Sequence, residues 1–498
     1  MPDRLPATSA AGRPTAGALF VMPARDFVKG SPVTCTTETT VTEVARLMSR
    51  RGAGAAVVTA ADGRPIGIVT DRDLRRKVVA EARDPQATAV SQIMSAPVVT
   101  VDPDASAFEA LVEMTRRDIH HLPLVEDGRP VGVVASDDLV FAQAAHPVTL
   151  AREIGRGESV AELHDAAGRV TGLVRRLVEE GGAAHEVARL VTELNDRLVL
   201  RALTLVLRAL AADEGARPPG AFCWLAFGSE GRREQTLRTD QDNGLVYADA
   251  EEAPGPAAAF YRRLSERMTA ALVEIGFPPC PGRIMASNPE WCQPLSVWRR
   301  YFDRWMGETT PEHVLAASIF FDLRPLGGEE DLGDRLVQHI GATAPKETLF
   351  LRRMAKDVVD DGLPLGLFGR VVVERRGAHR GAVDLKRGGS RQLVGAARVH
   401  ALAQGLGETN TVDRLRASVA RGIHTEAETR DIVAAYQHLL RLRLTHQLDQ
   451  LDRGEGVDNH VRVDELSRAD ALLLRDALRL VAEVQRRVRH HYGTDLLG

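Results

Sequence analysis

The chain has 498 residues, 44% of them hydrophobic and 27% charged, with a formal net charge of −4. Length and composition describe a globular protein of three or four domains, each large enough for its own core, and the acidic balance excludes a general nucleic-acid binder, which carries a strong basic excess. No apolar run reaches the length of a bilayer crossing, and the scattered cysteines, Cys35, Cys223, Cys280 and Cys292, lack the spacing of a zinc site and read as free thiols of a reducing cytoplasm.

Residues 1–24, rich in Ala, Pro, Thr and Arg, read as a disordered tail. A repeat occupies residues 25–145. Asp62-Gly63-Arg64-Pro65-Ile66-Gly67-Ile68-Val69 returns 65 residues later as Asp127-Gly128-Arg129-Pro130-Val131-Gly132-Val133-Val134, and Ser31-Pro32-Val33 returns as Ala96-Pro97-Val98 at the same offset. Each copy predicts a short strand, an amphipathic helix, a strand, an Asp-Gly turn, a strand and a helix. Val41, Val44 and Met48 give the helical spacing in one copy; Ala107, Leu111 and Met114 give it in the other.

This pattern resembles a tandem pair of cystathionine-β-synthase (CBS) domains. The resemblance implies an adenine nucleotide (AMP, ADP or ATP) in the cleft between the copies. In Gly67-Ile68-Val69-Thr70-Asp71-Arg72-Asp73 it places Thr70 on phosphate and Asp73 on the ribose hydroxyls. The second copy keeps Asp138 but has Ala135 where the hydroxyl belongs, so one working site is expected at most. Thr-x-x-Asp is also a helix N-cap box on its own account. Modules of this kind often associate face to face, which leaves a homodimer open.

Residues 146–215 carry no strand signal. Val187, Leu190, Val191, Leu194 and Leu198 follow helical spacing, so a helical connector is expected, ending at Ala216-Arg217-Pro218-Pro219-Gly220. Residues 216–345 hold the most informative run. The apolar stretch Phe222-Cys223-Trp224-Leu225-Ala226-Phe227 leads into Gly228-Ser229-Glu230-Gly231-Arg232-Arg233-Glu234, and Asp240-Gln241-Asp242-Asn243 precedes the apolar Leu245-Val246-Tyr247. In an extended segment Asp240 and Asp242 share one face. Two adjacent carboxylates repel unless a cation lies between them, so the pair suits a divalent metal. Gly228-Ser229, at a strand-to-helix turn, presents backbone N–H groups and a hydroxyl to phosphate oxygens. The Asp pair alone is weak evidence; eleven residues after Ser229, between apolar runs, it is specific.

The combined run resembles the nucleotidyltransferase superfamily that includes DNA polymerase β. It is most similar to the protein-modifying branch, with its PII-protein uridylyltransferases and glutamine-synthetase adenylyltransferases, and to bacterial nucleotidyltransferases fused to CBS domains. The resemblance implies that Gly228 and Ser229 hold the triphosphate of an NTP. It further implies that Asp240 and Asp242 ligand two Mg²⁺ ions, and that a third carboxylate comes from a neighbouring strand, for which Asp322 in the apolar run Ser318–Pro325 is the candidate. Arg232 either pairs with phosphate or bridges to Glu234. After a helix around residues 256–275, the Pro- and Cys-rich stretch 276–292 reads as an irregular loop over the nucleotide, with scaffold packing expected for Trp291 and Cys292.

Residues 346–498 are helical in pattern, the expected substrate-binding domain. Asp384-Leu385-Lys386-Arg387-Gly388-Gly389 is similar to a stretch that follows the catalytic domain of the protein-modifying enzymes, which would set Lys386 against the triphosphate. Arg441, Arg443 and His446 lie beside Leu439, Leu440 and Leu444 and read as a solvated helix face. The fold class expected is α/β multidomain: a tandem CBS pair, a helical connector, a polymerase β-like nucleotidyltransferase domain and a C-terminal helical domain. The function implied is transfer of a nucleoside monophosphate to a protein acceptor, without nucleic acid or membrane. A catalytically inactive nucleotide sensor that acts by binding a partner stays open as the alternative.

Overall fold

The computed structural model describes residues 22–28, 30–139, 147–237, 239–249, 255–366 and 369–496. Most of the expected tail, residues 1–21, and residues 140–145 of the repeat region lie outside the described residues. The chain divides into two compact units, one reaching Glu153 and including Glu179–Gly182, the other formed by Ile154–Val178 and Ala183–Gly498.

The first unit is the duplicated repeat. In copy one, β1 (Thr34–Cys35) pairs parallel with β2 (Ala55–Thr59), which pairs antiparallel with β3 (Pro65–Thr70); α1 (Val41–Arg51) lies between β1 and β2 in the chain. Thr40 and Glu43 form a full capping box at the start of α1, and Gly52 in the left-handed region ends it. Val41, Val44 and Met48 face the core, as their spacing requires. Copy two has α2 (Ala107–Arg117) and an antiparallel pair, β4 (His121–Glu126) with β5 (Arg129–Ala135); Val101 bridges Leu124 in parallel, in the place of β1.

The second unit begins with two helices, α3 (Val160–Glu179) and α4 (Ala184–Glu214). A four-stranded mixed sheet follows, in the order β8 (Cys292–Pro294), β7 (Asn243–Tyr247), β6 (Phe222–Ala226), β9 (Arg324–Gly328). β6 is antiparallel to both its neighbours, and every residue of β6 and β7 is buried, which is why both read as continuous apolar runs rather than alternating ones. The short helix α5 (Gly228–Gly231) leaves the end of β6, and α6 (Gly255–Ile275) follows β7.

The run around Asp322 differs from the expected strand. Residues Pro311–Phe320 form the helix α8, after α7 (Leu295–Gly307), and β9 starts only at Arg324. An unbroken apolar run does not distinguish a buried helix from a buried strand; here Thr310 caps the helix and Pro311 occupies its first turn. Trp291 packs with Trp298, Trp305 and Phe320, ring centroids 4.4–6.3 Å apart, and so serves the scaffold as expected.

After α9 (Glu330–Thr343), which lies on β6 and β9, the rest is helical: α10 (Thr348–Asp360), α11 (Arg391–Ala403), α12 (Thr411–Ala420), α13 (Glu426–Asp452) and α14 (Arg468–Tyr492). A two-stranded ribbon of β10 (Ala382–Asp384) and β11 (His460–Arg462) sets Asp384 opposite His460. The fold class is α/β multidomain, and among the described residues no helix is long and apolar enough to cross a membrane.

Candidate active site

The end of β6 and the approach to β7 meet at one cavity of about 450 Å³, lined by Gly228, Ser229, Arg232, Asp240, Asp242 and Lys386, with Pro278, Pro279 and Pro281 of the irregular loop and Arg443, Asn459 and Ser390 of the helical region. The structure thus brings together six of the residues singled out in the second unit from sequence. Two glycines explain the Gly-Ser-x-Gly spacing. Gly228 has φ +53°, and a Cβ there would stand 2.8 Å from Asp242 Oδ2; at Gly231 a Cβ would stand 1.9 Å from the Asp322 carbonyl oxygen. Only a bare backbone lets the turn close on both.

Asp240 and Asp242 precede β7 rather than lie within it, and Gln241 between them turns inward, donating to the Phe277 carbonyl at 2.9 Å. The period-two alternation therefore holds at the strand entrance. Burial, and then the charge of Asp240, pushes the Asp242 carboxyl up to about 6, while Cys280, Lys386 and Arg232 oppose the rise. Asp240, Asp242 and Cys280 bring ligand atoms within 4.8 Å of one another. Burial, with Asp242 beside it, pushes the Cys280 thiol up to about 11, so Cys280 stays protonated and bonds to Asp242. The remaining donor set is two carboxylates, which fits a hard cation such as Mg²⁺ that takes one or two carboxylates and completes its shell with water and substrate phosphate. Nothing in the sequence spacing had singled out Cys280.

Asp322 does not join that pair. It is fully buried, and three arginines enclose it: Arg398 donates at 3.0 and 2.6 Å, Arg414 at 2.7 Å and Arg232 at 2.6 Å. Burial alone would raise this carboxyl, but Arg398, Arg414 and Arg232 overcome it and hold the group well below the usual carboxylate range. Both oxygens are already taken, so the expected metal ligand is an ion-pair hub instead. Arg232, weighed between phosphate and a salt bridge, makes the bridge: Nε donates to Glu234 at 2.7 Å as Nη1 holds Asp322. It still borders the cavity.

Residues ahead of and within α12 seat the same loop. Thr409 Oγ1 donates to the Gly231 carbonyl at 2.8 Å, Asn410 Nδ2 to the Arg232 carbonyl at 2.9 Å, and Glu234 accepts from the Thr411 N–H at 2.6 Å. From the other side α4 offers buried Thr192, Asn195 and Asp196: Gln235 N donates to Thr192 Oγ1 and Asn195 Nδ2 to Gln235 Oε1, both at 3.1 Å. Arg324 reaches Asp196 at 2.8 Å and the Glu230 carbonyl at 3.0 Å. Glu230 is buried beside this group, and burial, then Asp196, pushes its carboxyl up to about 8.

Lys386 is exposed and borders the cavity; desolvation by the surrounding protein, followed by Arg443, lowers its pKa against the pull of Asp240 and Asp242. Arg443 is buried, not part of a solvated face. His446 does pair, with Asp458 at 2.9 Å, and Arg441 pairs with Asp470. His379, Asp458 and His460 also gather ligand atoms within 4.8 Å. The two imidazoles stack face to face, centroids 3.6 Å apart and planes 10° from parallel, and both Nδ1 atoms lie near Asp458 Oδ2, at 3.6 and 3.7 Å.

In the first unit Thr70 and Asp73 form the reciprocal capping box: Thr70 Oγ1 donates to Asp73 Oδ2 at 2.7 Å and accepts from the Asp73 N–H at 3.4 Å. Lys77 Nζ lies 2.8 Å from the other Asp73 oxygen. At the second copy Asp138 Oδ2 accepts from Ala135 N at 3.4 Å, without the hydroxyl half of the box.

A duplicated α/β repeat followed by a mixed sheet, with paired carboxylates bordering a cavity at the end of β6 and the entrance of β7, defines an α/β multidomain protein. The chain belongs to the CBS-domain proteins: CBS domain models match residues 24–80 and 90–145. Beyond the pair it matches the families described as "Putative nucleotidyltransferase DUF294" at residues 168–312 and "Putative nucleotidyltransferase substrate binding domain" at residues 348–492. It is similar to an uncharacterized protein of Methanopyrus kandleri, 37% identical over 26% of this chain and 64% of that protein. It is also similar to the CBS domain-containing protein YhcV of Bacillus subtilis, 34% identical over 24% of this chain and 86% of that protein. The chain thus spans under two thirds of the first relative's length. Among solved structures it matches a CBS domain protein from Pyrobaculum aerophilum complexed with AMP, at 29% identity over 24% of this chain and 93% of that one, TM-score 0.23.

Proposed function

We propose that the protein is a Mg²⁺-dependent nucleotidyltransferase that moves a nucleoside monophosphate from an NTP to a protein acceptor, in the manner of the PII-protein uridylyltransferases. An adenine nucleotide held by the CBS pair at Thr70 and Asp73 regulates it. The observation that carries the reading is the meeting of Asp240 and Asp242 with Gly228, Ser229 and Lys386 around one cavity. Bound Mg²⁺ supplies charge neutralisation at the α-phosphate and the leaving pyrophosphate. Asp240 and Asp242 would hold the ion, Gly228 and Ser229 would face the phosphates with backbone N–H groups and a hydroxyl, and Lys386 would add a point charge. The acceptor hydroxyl oxygen bonds to the α-phosphorus as the bond from that phosphorus to the bridging oxygen breaks; pyrophosphate leaves with the electron pair, and the hydroxyl proton passes to solvent. The helical region matched at residues 348–492 supports a macromolecular acceptor by its size.

The test is transfer of label from each α-labelled NTP to proteins of an extract, with and without Mg²⁺. Wild-type protein is expected to label an acceptor only with the metal, and the NTP that donates the label identifies the base. An Asp240→Asn/Asp242→Asn variant is expected to lose roughly 10³-fold or more, the scale of metal-assisted charge stabilisation. Undiminished labelling by that variant would sink the proposal.

A further inference from the structure

We propose that Arg443 and Lys386, both outside the mixed-sheet domain, clamp the polyphosphate of the nucleotide, so that the helical region completes the phosphate site. The proposal rests on the reading of the cavity as a nucleotide site and names the residues that hold the leaving pyrophosphate.

Among the described residues, five cations border the cavity: Arg232, Lys386, Arg391, Arg398 and Arg443. Arg232 is paired with Glu234 and Asp322, Arg398 with Asp322, and Arg391 with Asp357 and Asp361. Arg443 differs. It is 9% exposed, and its partners among the described residues are neutral: Nε donates to Asn459 Oδ1 at 2.9 Å and Nη1 to Ser390 Oγ at 3.5 Å. Asp384 and Glu234 act on Arg443 only from beyond bonding distance, and a buried guanidinium bonded to neutral groups alone is costly and calls for an anion. Lys386 shares the cavity, and among the described residues its ammonium has no ion-pair partner within 4.0 Å; its backbone N–H, with that of Arg387, is fixed by Asp384 Oδ1 at 2.9 Å. Desolvation by the surrounding protein lowers the pKa of the buried Arg443 and of the exposed Lys386, Arg443 adding to the effect on Lys386 while Tyr436, Asp384 and Glu234 oppose it at Arg443.

Asp240 and Asp242 border the same space. An unpaired cation pair and a carboxylate pair around one cavity match a metal–polyphosphate: the carboxylates take the metal, and the planar guanidinium fork and the ammonium take phosphate oxygens. Asn459 and Ser390 fix the plane of the fork. Arg443 lies 16 residues from Asn459 and 53 from Ser390, and it sits in a leucine-rich helix, so local pattern placed it on a solvated face.

The experiment is calorimetric titration of the full-length protein with Mg²⁺–pyrophosphate, a probe free of any base, then with Mg²⁺–ATP and Mg²⁺–UTP. Wild type is expected to bind pyrophosphate and at least one NTP. Arg443→Gln is expected to weaken pyrophosphate roughly 10- to 100-fold and Lys386→Gln roughly 10-fold, each with a shallower salt dependence, and Arg443→Lys to recover part of the loss. Melting curves establish that each variant folds; should Arg443→Gln not fold, Arg443→Lys and Lys386→Gln decide. Variants that bind pyrophosphate as wild type does overturn the clamp alone. Failure of the wild type to bind pyrophosphate or any NTP overturns the reading of the cavity, and the clamp with it.

Discussion

Asp322 is a buried carboxylate and Asp242 a half-buried one, and their surroundings assign them opposite energetic signs. Asp322 holds three guanidiniums, so removing its charge strands them; breaking a buried pair in this way costs about 3–5 kcal/mol. Asp242 faces another carboxylate, and its folded-state pKa of about 6 stands above the ordinary 3.8. For a raised acid the stabilisation is complete below the unfolded value and is lost as pH rises from about 4 through 6. Denaturant titration in EDTA at pH 8 is therefore expected to find Asp322→Asn destabilised by about 3–5 kcal/mol and Asp242→Asn stabilised by about 1–3 kcal/mol. The Asp242→Asn gain should vanish near pH 4. Were Asp322 a third metal ligand beside the pair, its substitution would also relieve repulsion, and both variants would shift the same way.

At the scale of elements, α4 is the informative one. Its apolar spacing predicted a packing helix, and Val187, Leu190, Val191, Leu194 and Leu198 are buried as that spacing requires. The polar residues among them were the unread signal. Thr192, Asn195 and Asp196 fall at i, i+3 and i+4, one face of a helix, and a buried polar face needs partners. Those partners are Gln235 and Arg324, 43 and 128 residues from the groups they meet, so no local pattern reveals them. The same limit hid the Asp322 cage, whose Arg398 and Arg414 lie 76 and 92 residues away. The repeat, the glycine turn and the Asp pair were legible because their chemistry is local: a turn, a cap, a strand entrance. Thr192→Val keeps the shape of the helix and removes the acceptor of the Gln235 N–H. An unfolding measurement is expected to show a loss of about 1–3 kcal/mol. Because Gln235 Nε2 also donates to Thr239 beside Asp240, the variant is expected to label acceptor more slowly than wild type. Normal stability together with normal labelling would show that the polar face does nothing for the loop.

On the scale of the whole molecule the question is whether the repeat pair and the cavity share one equilibrium. Thr70 and Asp73 are spent on capping each other, and Lys77 holds the far oxygen of Asp73, so a nucleotide there must exchange these contacts for its own. A ligand that binds only the folded chain raises stability by RT ln(1 + [L]/Kd), about 2.7 kcal/mol at a hundredfold excess over Kd. In EDTA, where the metal-dependent cavity is silent, at least one of AMP, ADP and ATP is expected to raise the Tm of the wild type. Asp73→Ala should abolish that rise. This variant also loses its cap, which lowers the ligand-free Tm by itself, so the readout is the ligand-induced increment and not the baseline. An unchanged increment would place the ligand elsewhere. Regulation makes a further, reciprocal demand: if the nucleotide at the pair changes Mg²⁺–pyrophosphate affinity by some factor, pyrophosphate must change the affinity of that nucleotide by the same factor. Coupling of the usual 1–3 kcal/mol gives 5- to 150-fold, readily measured by titrating each ligand in the presence and absence of the other. A factor of one in both directions would leave two nucleotide sites on one chain with no shared control.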